Sequence, residues 1–188
     1  MPTYSKIIIA IIIAAVGLYV ANSIFFGLDS TEYDFRNAKW GMSPEEVKAS
    51  ENPELESGLG GKFLFYADTL AGYDMLISYM FAGQITTENT SLILIAGNCN
   101  VLIDDGFQRL DIDDANKIYE LLTNEYGKPR NELEVEVDNG TLNTITWETK
   151  STEIVLSLRD IRGSGSYSID IAYLSKKYRS QLESTLDY

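Results

Sequence analysis

Residues 7 to 26, IIIAIIIAAVGLYVANSIFF, form a run of twenty positions without a charge. At about 1.5 Å per residue, a helix over this run spans about 30 Å, the thickness of a bilayer's hydrocarbon core. A helix buried in a soluble core fits poorly, because nearly every face of the run is apolar. A cleaved signal peptide is the rival reading. Its apolar region is usually about 7–15 residues long and ends at a small-x-small site. Here the candidate site, Ala21-Asn22-Ser23, lies inside the run. The run is therefore read as an uncleaved transmembrane signal-anchor helix in contact with the lipid bilayer, behind a short tail of residues 1–6.

Lys6 precedes the run, and Arg36 and Lys39 come after it, so the charge bias gives no strong vote on orientation. A short tail before one span, with the bulk of the chain after it, fits a single-pass protein whose C-terminal domain lies outside the cytoplasm. Residues 27–34 are a polar linker that reaches at most about 28 Å, which keeps the domain close to the membrane surface.

The remainder of the chain is long enough for a single domain over residues 35–175, with a charged C-terminal segment over 176–188. The net charge of -13 repels nucleic acid, so no nucleic-acid partner is expected. The chain has no histidine. Ser-His-Asp and Cys-His catalysis and histidine metal sites are thereby excluded. Cys99 is the single cysteine and reads as a small packing residue rather than a nucleophile.

Two helices carry clear start signals. In SPEEVKAS, Ser43 caps the free amides, Pro44 sits at the first helical position and Glu46 returns a bond to Ser43. Trp40 reads as a packing residue over one end of the core, and Gly41 as the turn between it and the helix. In LDIDDANKIYELLTNEYGKP, Ala115, Ile118, Tyr119, Leu122 and Tyr126 recur at helical spacing. Asp111 or Asp113 caps this helix, and Gly127 and Pro129 end it.

The rest alternates with period two. YDMLISYMF places Tyr73, Met75, Ile77, Tyr79 and Phe81 on one face, and TEIVLSLRD and YSIDIAYLS obey the same rule. GKFLFYADTL and TLNTITWETK read as further strands, VDNGT and AGNC as hairpin turns, and RGSGS as a connection. The order predicts an α+β fold, with the N-terminal transmembrane helix followed by two helices packed on one face of a largely antiparallel sheet. Helix then strands occurs twice, which suggests a duplicated unit.

The segment FRNAKWGMSPEEVK, the later YELLTNEYGKP and the spacing of Trp147, Thr152, Ile154 and Leu156 resemble a group of uncharacterised bacterial envelope proteins. These share an F-R-x-x-x-W-G-x-S-x-E-E-V segment, a helix ending in Y-G-K-P and a tryptophan-bearing strand. The resemblance implies a periplasmic or cell-surface setting and brings no catalytic residues. Small lipoproteins of the outer-membrane barrel-assembly machinery are a looser likeness, by analogy of fold alone.

The expected function is that of a membrane-anchored, non-enzymatic protein-interaction module, with no cofactor and with Trp40, Tyr73 and Tyr79 as candidate binding residues. The alternative is a carboxylate-based enzyme or a calcium-binding domain using Asp104, Asp105, Asp111 and Asp113. Their spacing departs from the EF-hand loop, and capping and solvation explain them without a metal.

Overall fold

In the computed structural model, residues 33–51, 56–70, 72–85, 90–101, 110–137, 140–160 and 167–186 are described. The apolar run Ile7–Phe26 lies outside them, as do Asp104, Asp105 and the RGSGS connection. Among the described residues no helix is long and apolar enough to cross a membrane.

The fold is α+β. Helix α1 (Pro44–Ser50) precedes strands β1 (Glu56–Gly58), β2 (Phe63–Leu70), β3 (Tyr73–Ile85) and β4 (Thr90–Val101). Helix α2 (Ile112–Tyr126) precedes β5 (Asn131–Val137), β6 (Gly140–Glu148), β7 (Thr152–Asp160) and β8 (Tyr167–Ser175), and α3 (Arg179–Leu186) comes last. The strands form one sheet in the order β1-β2-β3-β4-β8-β7-β6-β5, with every pair antiparallel. Each half of the chain is thus a helix followed by a four-stranded meander. The last strand of each meander meets the other in the middle of the sheet.

Both long-range helix starts obey the local chemistry. Ser43 and Glu46 form a capping box on α1, with Pro44 at its first position. Asp111, rather than Asp113, caps α2, and its carboxylate accepts from the backbone N–H groups of Asp113 and Asp114. Gly127 ends the helix at a φ of 80°, a left-handed conformation that glycine adopts without strain.

The main core lies on one side of the sheet. Val47 of α1 and Ala115, Ile118 and Leu122 of α2 share a cluster with Met75, Ile77, Tyr79 and Phe81 of β3, Ile154, Leu156 and Leu158 of β7, and Ile169, Ile171 and Tyr173 of β8. The strict alternation of these strands delivers those residues to one side. A smaller cluster contains Ala82, Ile93, Ile95 and Ala96 with Tyr178 and Leu182 from the C-terminal part of the chain.

Two expectations are corrected. AGNC is not a hairpin turn: Ala96–Cys99 lie within β4, where they pair with both β3 and β8. The C-terminal segment is not merely charged, because Arg179–Leu186 is helical and buries Leu182. β4 escaped the alternation rule for a physical reason. A β-bulge between Met80 and Phe81 leaves Ile95 without a partner, so Ile95 and Ala96 fall in the same small cluster.

Candidate functional site

The residues of the tryptophan-bearing motif build a folding device first. Residues 34–38 fold back on themselves, with the N–H groups of Asp34 and Phe35 both donating to Ala38 O, and Ala38 N to Phe35 O. Arg36 sits at the apex with a φ of 56°. This turn drives Phe35 inward against Tyr79 and Tyr173, with ring centroids 5.2 and 4.8 Å away. Trp40 stacks parallel to Phe35 at 6.5 Å and packs against both clusters. Its indole N–H donates to Thr152 Oγ1 at 2.9 Å, and its backbone N–H to Asp34 Oδ2 at 2.8 Å.

The glycine after it has two tasks. Gly41 adopts a φ of 95°, and a Cβ there would meet the Tyr178 hydroxyl at 2.8 Å. Its N–H donates to Leu94 O, while Leu94 N donates to Met42 O. Gly41 and Met42 therefore pair with β4 just beyond Ala96, where the β8 ladder stops. Trp40 is half-buried and hydrogen-bonded, as suits a packing residue. Trp40→Ala is expected to cost about 2–3 kcal/mol, below the roughly 3–5 typical of a fully buried aromatic. Urea denaturation checks this. An unchanged midpoint would make Trp40 an interface residue instead.

A buried ionic cluster underlies the motif. The Arg36 guanidinium pairs with Glu51 at 3.5 Å and Asp68 at 2.8 Å, and lies 5.4 Å from the centroid of the Tyr66 ring. Its side chain is 12% exposed and that of Glu51 only 1%. Burial works against the charge on Arg36, but Tyr79, Tyr66, Glu51 and Asp68 outweigh it and raise its pKa. Burial also pushes the Tyr66 hydroxyl up to about 12. Sequence reasoning placed Arg36 in the motif without a role. Its partners lie 15 and 32 positions away, beyond local pattern.

A cavity of about 30 Å³ lies beside the turn, among Phe35, Cys99, Glu125, Tyr126, Thr152 and Tyr173. It has room for a water or two, against roughly 300–1,000 Å³ for small-molecule sites. A second cavity, of about 160 Å³, lies between β8 and α3. Burial raises the pKa of the Glu125 carboxyl above its ordinary value. Burial likewise pushes the Cys99 thiol up to about 12, with Arg36 pulling weakly the other way. At pH 8 Cys99 should therefore react with iodoacetamide about a thousandfold more slowly in the native protein than after unfolding. Mass spectrometry of labelled protein checks this, and stoichiometric native labelling would contradict the burial of the sulfur.

The other candidate residues have structural partners. Tyr79 is fully buried and presents no surface to a ligand. Tyr73 is half-buried; its hydroxyl donates to Asp114 Oδ1, and Lys117 Nζ lies 3.4 Å from it. Asp111 is the cap of α2 and Asp113 is exposed in its first turn. Among the described residues, which do not include Asp104 and Asp105, no group of three His, Cys, Asp or Glu side chains is placed to hold a metal ion. Comparison with models of known protein families, with curated proteins and with solved structures finds no match to this chain.

Proposed function

We propose that this is a single-pass, membrane-anchored protein of a bacterial envelope whose domain lies outside the cytoplasm and binds a protein partner without catalysing a reaction. The twenty uncharged residues of the run Ile7–Phe26 support the anchor. The likeness of the F-R-x-x-x-W-G segment to uncharacterised envelope proteins supports the setting. The cluster shared by Val47, Ala115, Ile118 and Leu122 supports two helices packed on one face of the sheet. The repeated order of a helix with a capping box followed by four strands supports an old duplication.

The observation that carries the interaction reading is the exposed edge of the sheet. Leu133 on the terminal strand β5 is 54% exposed, on a strand whose first four residues are all exposed. A seven-residue edge strand that pairs on one side only offers its main-chain groups as a template for another chain. The polar residues of the opening motif are instead spent on folding, which leaves recognition to the sheet.

After washing native membranes in alkaline carbonate, the full-length chain should remain in the membrane pellet. A soluble fragment starting near Ile24 would reveal a cleaved signal and end the anchor reading. Photo-crosslinking in those membranes tests the interaction directly. A reproducible protein neighbour supports the reading, whereas turnover of a hydrolase substrate that Asp111→Asn or Asp113→Asn abolishes would replace it with an enzyme.

A further inference from the structure

Resting on the interaction reading above, we infer that the free edge of β5 receives an extended basic segment of a partner protein as a ninth strand. The partner segment carries lysine or arginine at alternate positions, with apolar residues between them.

The two ends of the sheet differ. β1 at one end has three residues, too short a template for stable strand addition. β5 at the other end has seven, pairs with β6 on one side only, and among the described residues has no strand on its outer side. Among the described residues no strand pairs with its outward-facing main-chain groups, which are the groups an added strand would use. No proline interrupts Asn131–Val137, and the register with β6 runs unbroken from Asn131↔Thr146 to Val137↔Gly140, without a bulge. Neither proline nor a bulge protects this edge; its protecting charges are glutamates, which oppose a neutral or acidic strand and leave the edge selective for a basic one.

The side chains indicate the occupant. Glu132 and Glu134 stand opposite Ile145 and Asn143, on the side of the sheet that holds the main core. Leu133 stands on the other side, opposite Thr144. Both glutamates are exposed, and the sequence continues the alternation to Glu136. A second copy of this chain is a poor occupant. Symmetric antiparallel pairing centred on Glu134 sets that residue against itself and Glu132 against position 136, also Glu, and like charges directly opposite are unfavourable. A basic strand turns the same pairs attractive, and the net charge of -13 draws it in. Apolar residues between its cations then meet Leu133.

The test uses the full-length protein in detergent micelles at about 150 mM salt, where screening suppresses loose charge attraction. Three labelled nine-residue peptides are compared: alternating Lys/Val, a block-ordered scramble of the same composition, and alternating Glu/Val. Alternating Lys/Val should bind about tenfold more tightly than its scramble and slow hydrogen exchange within residues 131–137. The exposed double variant Glu132→Lys/Glu134→Lys should lose this preference and gain affinity for Glu/Val. Equal binding of the scramble, or protection confined to other strands, overturns the inference. If β5 stays unprotected while membrane crosslinks form from another surface, only the edge assignment falls. If no protein crosslinks at all, the interaction reading beneath it falls.

Discussion

Arg36→Met should destabilise the domain by about 3 kcal/mol, the lower end of the cost of breaking a buried ion pair by removing one partner. The cost comes from what stays behind. Glu51 is 1% exposed and would lose its nearest cation, while Asp68, at 36%, can turn to water. Glu51 keeps one strong donor, the Asn37 backbone N–H at 2.7 Å, which holds the expected loss at that lower end. Methionine retains an apolar stem of similar length, so the comparison isolates the charge. Arg36→Met/Glu51→Gln should recover more than half of the loss, because the stranded charge is then gone. Urea denaturation of both single variants and the double variant gives the answer. A loss below about 1 kcal/mol in Arg36→Met would mean that water solvates the cluster.

The contact between Phe35 and Gly97 supplies the second large effect. A Cβ built on Gly97 would lie 2.2 Å from the Phe35 ring. That ring cannot retreat easily, because Trp40, Tyr79 and Tyr173 surround it. Gly97→Ala should therefore cost about 1–3 kcal/mol or more through overpacking. Phe35→Ala should cost about 3–5 kcal/mol through the cavity it leaves. The double variant should cost little more than Phe35→Ala alone, since the added methyl then fills space that the ring vacated. Simple additivity in that cycle would show that the ring does not rest on the glycine.

These two contacts also mark the limit of what could be read from the sequence. The helix starts were legible because their chemistry is local: Ser43 with Glu46, and Asp111 with Asp114, lie three positions apart. β3, β7 and β8 were legible because one side of each is buried and the other is not. β4 was hidden by its bulge and by burial on both sides between Ile93 and Gly97. Gly97 and Asn98 resemble a turn, yet glycine is there to let an aromatic ring lie against the backbone. β5 alternates in sequence, but in the reverse sense: its glutamates stand on the side of the sheet that holds the main core and Leu133 on the exposed side, so no apolar side is buried to mark it as a strand. α3 buries Leu182 but few other residues among those described, too little for an apolar stripe to stand out. Of the candidate site, Trp40 was recognised from its neighbours in sequence. The Arg36 cluster was not, because Asp68 reaches it only once the sheet has formed.

The meeting of the two meanders has a consequence for synthesis. β4 and β8 join through five residue pairs, from Ala96↔Leu174 to Asn100↔Asp170. Asn98 and Asp170 are 72 positions apart in the chain. A ribosome adding about 5–20 residues per second needs about 4–15 s to cover that distance. Throughout that interval β4 is complete, but the partner that closes its inner edge does not yet exist. Gly41 and Met42 are already made and can shield Leu94, while the stretch from Ala96 to Asn100 has only β3 beside it. The nascent chain thus carries an unfinished sheet edge for several seconds, open to strand pairing until β8 is made.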